Sequence, residues 1–212
     1  MNEPAPHLDA DHTDQTPRQK SGHPRAGEAM SGAEMVVEVM AQEGVDTVFG
    51  YSGGAILPTY DAVFRYNERE RTDTARDPMQ LVVPANEQGA GFMAAGYARS
   101  TGKVGCFLVT SGPGATNTVT PIRDCMADSV PVVGITGQVA RAAMGTDAFQ
   151  EAPIVNIMGN CAKHVFLVTR PEQLEETIRT AFEVARSGRP GPVVVDLPKD
   201  VQNWVGEFKG SG

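Results

Sequence analysis

The feature that most constrains this chain is a rhythm. Short apolar runs rich in β-branched residues alternate with longer helical patterns through most of its 212 residues. The runs fall at 45–49, 81–83, 104–110, 130–136, 165–168 and 193–197. Helical patterns lie between most of them, with turn residues at the joins. A parallel strand pair cannot be closed by a tight hairpin, so strand–helix–strand units imply crossovers and a sheet covered on both sides. The expected fold class is α/β, a mostly parallel open sheet with helices on both faces and right-handed connections.

Local signals sharpen this reading. Ser31 and Glu34 have capping-box spacing, so a helix starts there and Gly44 stops it. A second helix spans 55–64, with Pro58 tolerable in its first turn. Residues 65–78 are charged and turn-prone, and read as a surface connection. Asn86 is placed to cap a Gly/Ala-rich helix over 87–101, which Gly102 terminates. One helix is expected over 115–126, a short one over 154–158, and one from Pro171 to about Ser187 with Gly188 at C′. Pro198 ends the last strand. Residues 1–29 lack periodicity and read as a disordered leader. Its histidines, His7, His12 and His23, are irregularly spaced. Residues 30–205 form the domain, and 206–212 read as a linker rather than a packed terminus.

Composition excludes several function classes. A net charge of −8 with no Lys/Arg cluster argues against nucleic acid as a partner. No apolar stretch is long enough to cross a bilayer and no secretory signal pattern is visible, so a cytoplasmic location is expected. Cys106, Cys125 and Cys161 form no C-x-x-C pair and read as small hydrophobes in a reducing compartment. H-E-x-x-H and G-x-S-x-G are absent, and no metal site is expected.

Chemistry in such a fold gathers beyond the carboxyl ends of the strands. Four features fall there: 50–54, 86–88, 111–117 and Gly137-Gln138. Gly53-Gly54 admits two readings, a backbone that approaches a ligand closely and a plain turn. Ser111-Gly112-Pro113-Gly114 is equally open between an anion-binding nest and a structural turn. It lacks the Gly-Lys-Ser/Thr ending of a P-loop, and neither glycine run has dinucleotide spacing. Glu87 sits in the first turn of its helix. It is either an ordinary helix-start carboxylate or, in apolar surroundings, an acid that shares a proton with a bound base. The polar stretch 145–151 is a loop with one aromatic, Phe149. His164 is isolated and reads as a surface or partly packed histidine.

Five stretches, in order and spacing, carry a family resemblance: VFGYSGGAILPTYDAVF, NEQGAGFMAAGYARSTGKVG, FLVTSGPGATNTVTPIRDCMADSVPVVGITGQV, GTDAFQE and GRPGPVVVDLPKDVQ. Over residues 30–205 the chain resembles the large catalytic subunits of acetolactate synthase, in the thiamine-diphosphate superfamily. GTDAFQE and PKDVQ favour them over glyoxylate carboligase and sulfoacetaldehyde acetyltransferase. The resemblance implies the N-terminal, pyrimidine-binding domain of an enzyme that decarboxylates pyruvate and joins its two-carbon unit to a second 2-keto acid, in branched-chain amino-acid biosynthesis. It makes Glu87 the carboxylate that hydrogen-bonds N1′ of the cofactor's aminopyrimidine. It sets Gly53, Gly54, Pro113, Asn117 and Gln138 around the cofactor, and Phe149, Gln150 and Lys199 along the substrate channel. Ser52 and Asn86 stand where the family usually has proline and histidine, and Ala140 where it often has proline.

The family's chains continue into a central domain that helps bind FAD and a domain that holds Mg2+ and the diphosphate. No stretch here matches the latter. The resemblance therefore implies thiamine diphosphate for this chain, with FAD and Mg2+ belonging to the complete enzyme and the Mg2+ ligands elsewhere. It also implies a homodimer or pairing with a diphosphate-binding domain, a regulatory small subunit as a further partner, and no turnover by the chain alone. The competing expectation is a non-catalytic fragment or interaction module that binds a synthase-like partner.

Overall fold

The computed structural model describes residues 22–72 and 78–210. The leader expected over 1–21, with His7 and His12, lies outside the described residues. Residues 22–29 do not fit that expectation. They form a turn whose His23 is buried, and then the first strand, β1 (Ala29–Ser31).

Helix α1 (Gly32–Gln42) starts as its spacing predicts. Ser31 Oγ accepts from the amide of Glu34 at 3.2 Å, and the Glu34 carboxylate accepts from the amide of Ser31 at 2.8 Å. Next come β2 (Thr47–Tyr51) and α2 (Leu57–Thr72). Helix α2 runs eight residues past the expected end at Phe64, so part of the supposed surface connection is helical. Tyr60, Val63 and Tyr66 continue one buried stripe, and Arg65 pairs with Asp61 one turn back at 2.7 Å.

Strand β3 (Gln80–Val82) leads to α3 (Glu87–Thr101), capped by Asn86 and ended by left-handed Gly102 at φ +72°. After β4 (Gly105–Val109), the helix expected over 115–126 is two helices, α4 (Pro113–Thr116) and α5 (Val119–Asp128). Thr118 breaks them apart: its hydroxyl donates to the carbonyl of Ala115 at 2.7 Å. Then follow β5 (Val132–Gln138), α6 (Ile154–Met158), β6 (His164–Leu167), α7 (Leu174–Arg186) and β7 (Pro192–Pro198). Pro171 opens a short 3₁₀ turn ahead of α7. The chain continues past Pro198 into α8 (Lys199–Asn203) and β8 (Val205–Glu207), which pairs antiparallel with β1. Phe208 is fully buried, so the expected free linker is packed as far as the described chain goes.

The main sheet has six parallel strands in the order β3-β2-β4-β5-β7-β6, with helices on both faces. Alternate residues divide two cores. Cys106, Leu108, Val193 and Val195 meet α1, α2 and α7, while Phe107, Val109 and Val194 meet α3 and α5. The chain goes outward from β2 to β3 and then crosses back to β4. The crevice between the carboxyl ends of β2 and β4 is thus a topological switch point, where open α/β sheets bind ligands.

Candidate functional site

Three loops meet at that crevice. Thr110, just past β4, holds them together. Its Oγ1 accepts from the amide of Ala55 at 3.3 Å. A Cβ on Gly53 or on Gly114 would come within 2.6 Å of its side chain. Glycine at 53 and 114 is therefore required by close approach within the chain. Gly54 differs: a Cβ there would meet no atom within 4 Å.

Glu87 enters from the third loop. It is half-buried at the first position of α3, where the aligned peptide dipoles favour a negative charge. Asn86 accepts from the amide of Gly89 at 2.8 Å and fixes the helix start. Glu87 Oε2 accepts from Asn117 Nδ2 at 2.9 Å, and Oε1 lies 3.4 Å from where a Gly114 Cβ would be. Beneath the crevice the Tyr60 hydroxyl donates to the carbonyl of Leu108 at 3.1 Å. Burial raises the pKa of Tyr60, and the negative charge of Glu87 raises it further. Among the expected site residues, Glu87, Asn117 and Gly53 thus converge, with Thr110 and Tyr60 added. Thr110 was detectable as the strand-end residue before Ser111; Tyr60 carried no signal beyond its helix stripe.

The 111–117 stretch is a tight turn. Gly112 has a positive φ of +54°, and the amides of Gly114, Thr116 and Asn117 donate to carbonyls within the turn. These amides do not form the open donor set that a nest would offer. Pro113 is exposed at the start of α4. Gly112 also seats the next loop, since a Cβ there would lie 2.4 Å from the carbonyl oxygen of Gln150. Phe149 stands beside it, 88% exposed.

Gln138 is buried and its amide is engaged inside the fold. Nε2 donates to the carbonyl of Ala152 at 3.1 Å and to Asp196 at 2.9 Å, and Oε1 accepts from the amide of Val139 at 2.8 Å. Thr136 donates to the other Asp196 oxygen at 2.8 Å. Burial raises the pKa of Asp196 and these two hydrogen bonds lower it in part, leaving it at about 6. Lys199 lines a different cavity of about 480 Å³, with Ser31, Leu57, Asp61 and Gln202.

His164 is exposed and packs edge-on against Phe166 at 4.3 Å. Burial pushes the thiols of Cys106 and Cys125 up to about 12, which leaves them inert as nucleophiles. Among the described residues, no group of three or more His, Cys, Asp and Glu side chains is arranged to hold a metal ion. No described helix is long and apolar enough to cross a membrane.

Residues 30–158 match the family described as thiamine pyrophosphate enzyme, N-terminal TPP binding domain. The chain is 54% identical over 172 residues to the mitochondrial acetolactate synthase catalytic subunit of Saccharomyces cerevisiae, covering 81% of this chain and 24% of that protein. It is 48% identical over 180 residues to the acetolactate synthase isozyme 2 large subunit of Escherichia coli, covering 85% and 31%. It is also 48% identical over 187 residues to the acetolactate synthase large subunit of Corynebacterium glutamicum, covering 88% and 28%. The chain spans about a quarter to a third of the length of these relatives.

Proposed function

Since the chain belongs to the family of thiamine pyrophosphate enzyme N-terminal TPP binding domains, we propose that it is the pyrimidine-binding part of an acetolactate synthase, with Glu87 as the cofactor-activating carboxylate. One observation carries this: a half-buried carboxylate at a helix start, oriented by Asn117 and beside bare Gly114, stands at the switch point of the sheet. These residues suit an aminopyrimidine. A ring nitrogen needs a partner that can hold or share a proton, and a flat ring needs walls without side chains.

Thiamine diphosphate, when bound, supplies the electron sink for decarboxylation of a 2-keto acid. The chain's own residues control geometry and one proton. Glu87 holds that proton at the pyrimidine N1′, and Asn117 keeps the carboxylate aimed. Gly53 lets the backbone close on Thr110, and Gly54 leaves its outer side open for the ligand. Pro113 sets the turn beside them, and Gln138 fixes the strand end behind. Phe149 and Gln150 stand where the 2-keto acids would approach, while Lys199, which lines a separate cavity beside α8, would belong to the substrate channel only in the complete enzyme. Asn86, in place of the family's usual histidine, serves as an N-cap and leaves the proton-handling group intact. Ser52 is exposed, and Ala140 opens a short 3₁₀ turn.

The diphosphate, Mg2+ and FAD would be held by parts of the relatives that this chain does not span, so the working site needs a diphosphate-binding domain from a partner, in a homodimer or a paired chain. A regulatory small subunit is a further partner. The chain alone would not turn over. Its unpaired cysteines suit the cytoplasm. The three relatives named above are all acetolactate synthases, which favours that reading over the carboligase and acetyltransferase ones.

The test is an acetolactate assay with pyruvate, thiamine diphosphate, Mg2+ and FAD, with and without a fragment bearing the diphosphate-binding domain. Activity is expected only on complementation. Glu87→Gln should lower it by about 10²–10⁴-fold with the fold intact by circular dichroism. Gly54→Ala should weaken cofactor binding without loss of stability. Unchanged turnover in Glu87→Gln sinks the mechanism, and no turnover under any complementation points to a non-catalytic module.

A further inference from the structure

The loop over 145–151 is closed by its own last residue. The Glu151 carboxylate accepts from the amide of Gly145, and from the amide of Ala148 at 3.1 Å. The Glu151 amide donates back to the carbonyl of Ala148 at 2.9 Å. These backbone donors, that of Gly145 first, hold the carboxyl below its ordinary range. The backbone inside the ring is unusual. Asp147 and Gln150 are left-handed at φ +56° and +57°, a conformation that a residue with a Cβ resists. Contacts must therefore hold it in place.

Those contacts define where the loop sits. Past its end, Ala152 is tied by its carbonyl to Gln138. On its inner side, the Gln150 carbonyl rests against bare Gly112, in the same turn that brings Gly114 and Asn117 to Glu87. Phe149 is left at the tip and solvent-facing. A large apolar side chain is thus presented outward by a loop under backbone strain, seated on the turn that carries Gly114 and Asn117 to Glu87.

We propose that Glu151 is a positioning residue: by gathering the amides of Gly145 and Ala148, it locks the loop that seats Gln150 on Gly112 and holds Phe149 at the mouth of the Glu87 crevice. This rests on the reading of that crevice as the cofactor site. Glu151 touches no reacting atom in this role. It sets the stiffness and aim of the apolar tip that a 2-keto acid side chain would meet.

Amide exchange and ¹⁵N relaxation on the full chain test it. Glu151→Ala should speed exchange at Gly145 and Ala148 by about tenfold or more, with the amides of β5 unchanged. The ¹H–¹⁵N heteronuclear NOE at Phe149 and Gln150 should fall with it. Glu151→Gln keeps one acceptor oxygen and should give an intermediate result. Unchanged exchange in Glu151→Ala overturns the proposal. Equal acceleration in β5 also overturns it, because the residue would then support only global stability. Thiamine diphosphate titrated onto the same samples, with Glu87→Gln as control, reads the crevice separately. Binding indifferent to Glu87 removes the cofactor reading and leaves the exchange result standing as a loop clamp.

Discussion

Glu87 and Asp196 are both carboxylates near strand ends, and they differ in how far the sequence reveals them. Glu87 was legible because it follows a strand and opens a helix, two features written in neighbouring residues. Asp196 reads only as a polar interruption of an apolar strand. Its meaning comes from Thr136 and Gln138, about sixty residues away and adjacent only once β5 pairs with β7. Burial pushes Asp196 up to about 6, so the native state holds its proton where the unfolded chain has released it. The stability tied to that proton is fully present below about pH 4 and is lost as the pH rises through about 6. At about 1.4 kcal/mol per pH unit, the loss comes to roughly 3 kcal/mol. Asp196→Asn matches the protonated acid, since its oxygen can accept from Gln138 and its amide can donate to Thr136. Its stability relative to the parent, from urea midpoints, should therefore rise by roughly 2–3 kcal/mol between pH 4 and pH 7.5. A flat difference over that range would show that Asp196 is not a buried, reluctantly charged group.

Helix α3 carries the catalytic candidate, and its glycines explain how it is held. Gly91 lies on α5: a Cβ there would come 2.5 Å from the Pro121 ring, which cannot swing aside. Gly96 is exposed, and a Cβ there would meet nothing within 4 Å. One helix should thus give opposite responses to one substitution. Gly91→Ala should destabilise by about 1–3 kcal/mol through overpacking, and Gly96→Ala should stabilise by about 0.5–1 kcal/mol through helix propensity. Denaturant midpoints check both, and the same sign for the two would refute the packing argument. The presence of α3, its cap and its terminator were all readable, because they rest on local rules. Which of its glycines are obligatory was not, since that depends on the neighbour across the gap. The same division holds elsewhere. The end of α2 was missed because the stripe continued through Tyr66 under a charged outer face, and the break between α4 and α5 because one threonine hydroxyl competes with the helix ladder.

At the scale of the molecule, the two ends of the described chain clasp each other, and no local pattern announces it. Strand β1 pairs with β8 over three residues each, too little to hold alone. Phe208 supplies the rest. Its amide donates to the carbonyl of Glu28 at 2.9 Å, its carbonyl accepts from the amide of Gly27 at 2.8 Å, and its buried ring meets His23 edge-on at 5.1 Å. Around it, Glu38 of α1 takes Arg25 and Arg69 at 2.7 Å each and lies 3.4 Å from His23, which joins the first turn to α1 and α2. Lys199 and the cavity at α8 sit just before this clasp in the chain, so the clasp also fixes the approach to α8. Read alone, residues 22–29 are too polar, and 206–210 too rich in glycine, to suggest a core; each end gains its burial from the other and from the helices beside them. Phe208→Ala should cost about 3–5 kcal/mol, as for other fully buried phenylalanines. The loss should be accompanied by faster proteolysis within 22–31 at a protease level that leaves the parent intact. If stability falls by less than about 1 kcal/mol, the terminal segments are ornaments on a sheet that stands without them. If β4 and β5 lose protection together with the termini, the clasp and the sheet form one cooperative unit, and the crevice at Glu87 depends on residues at both ends of the described chain.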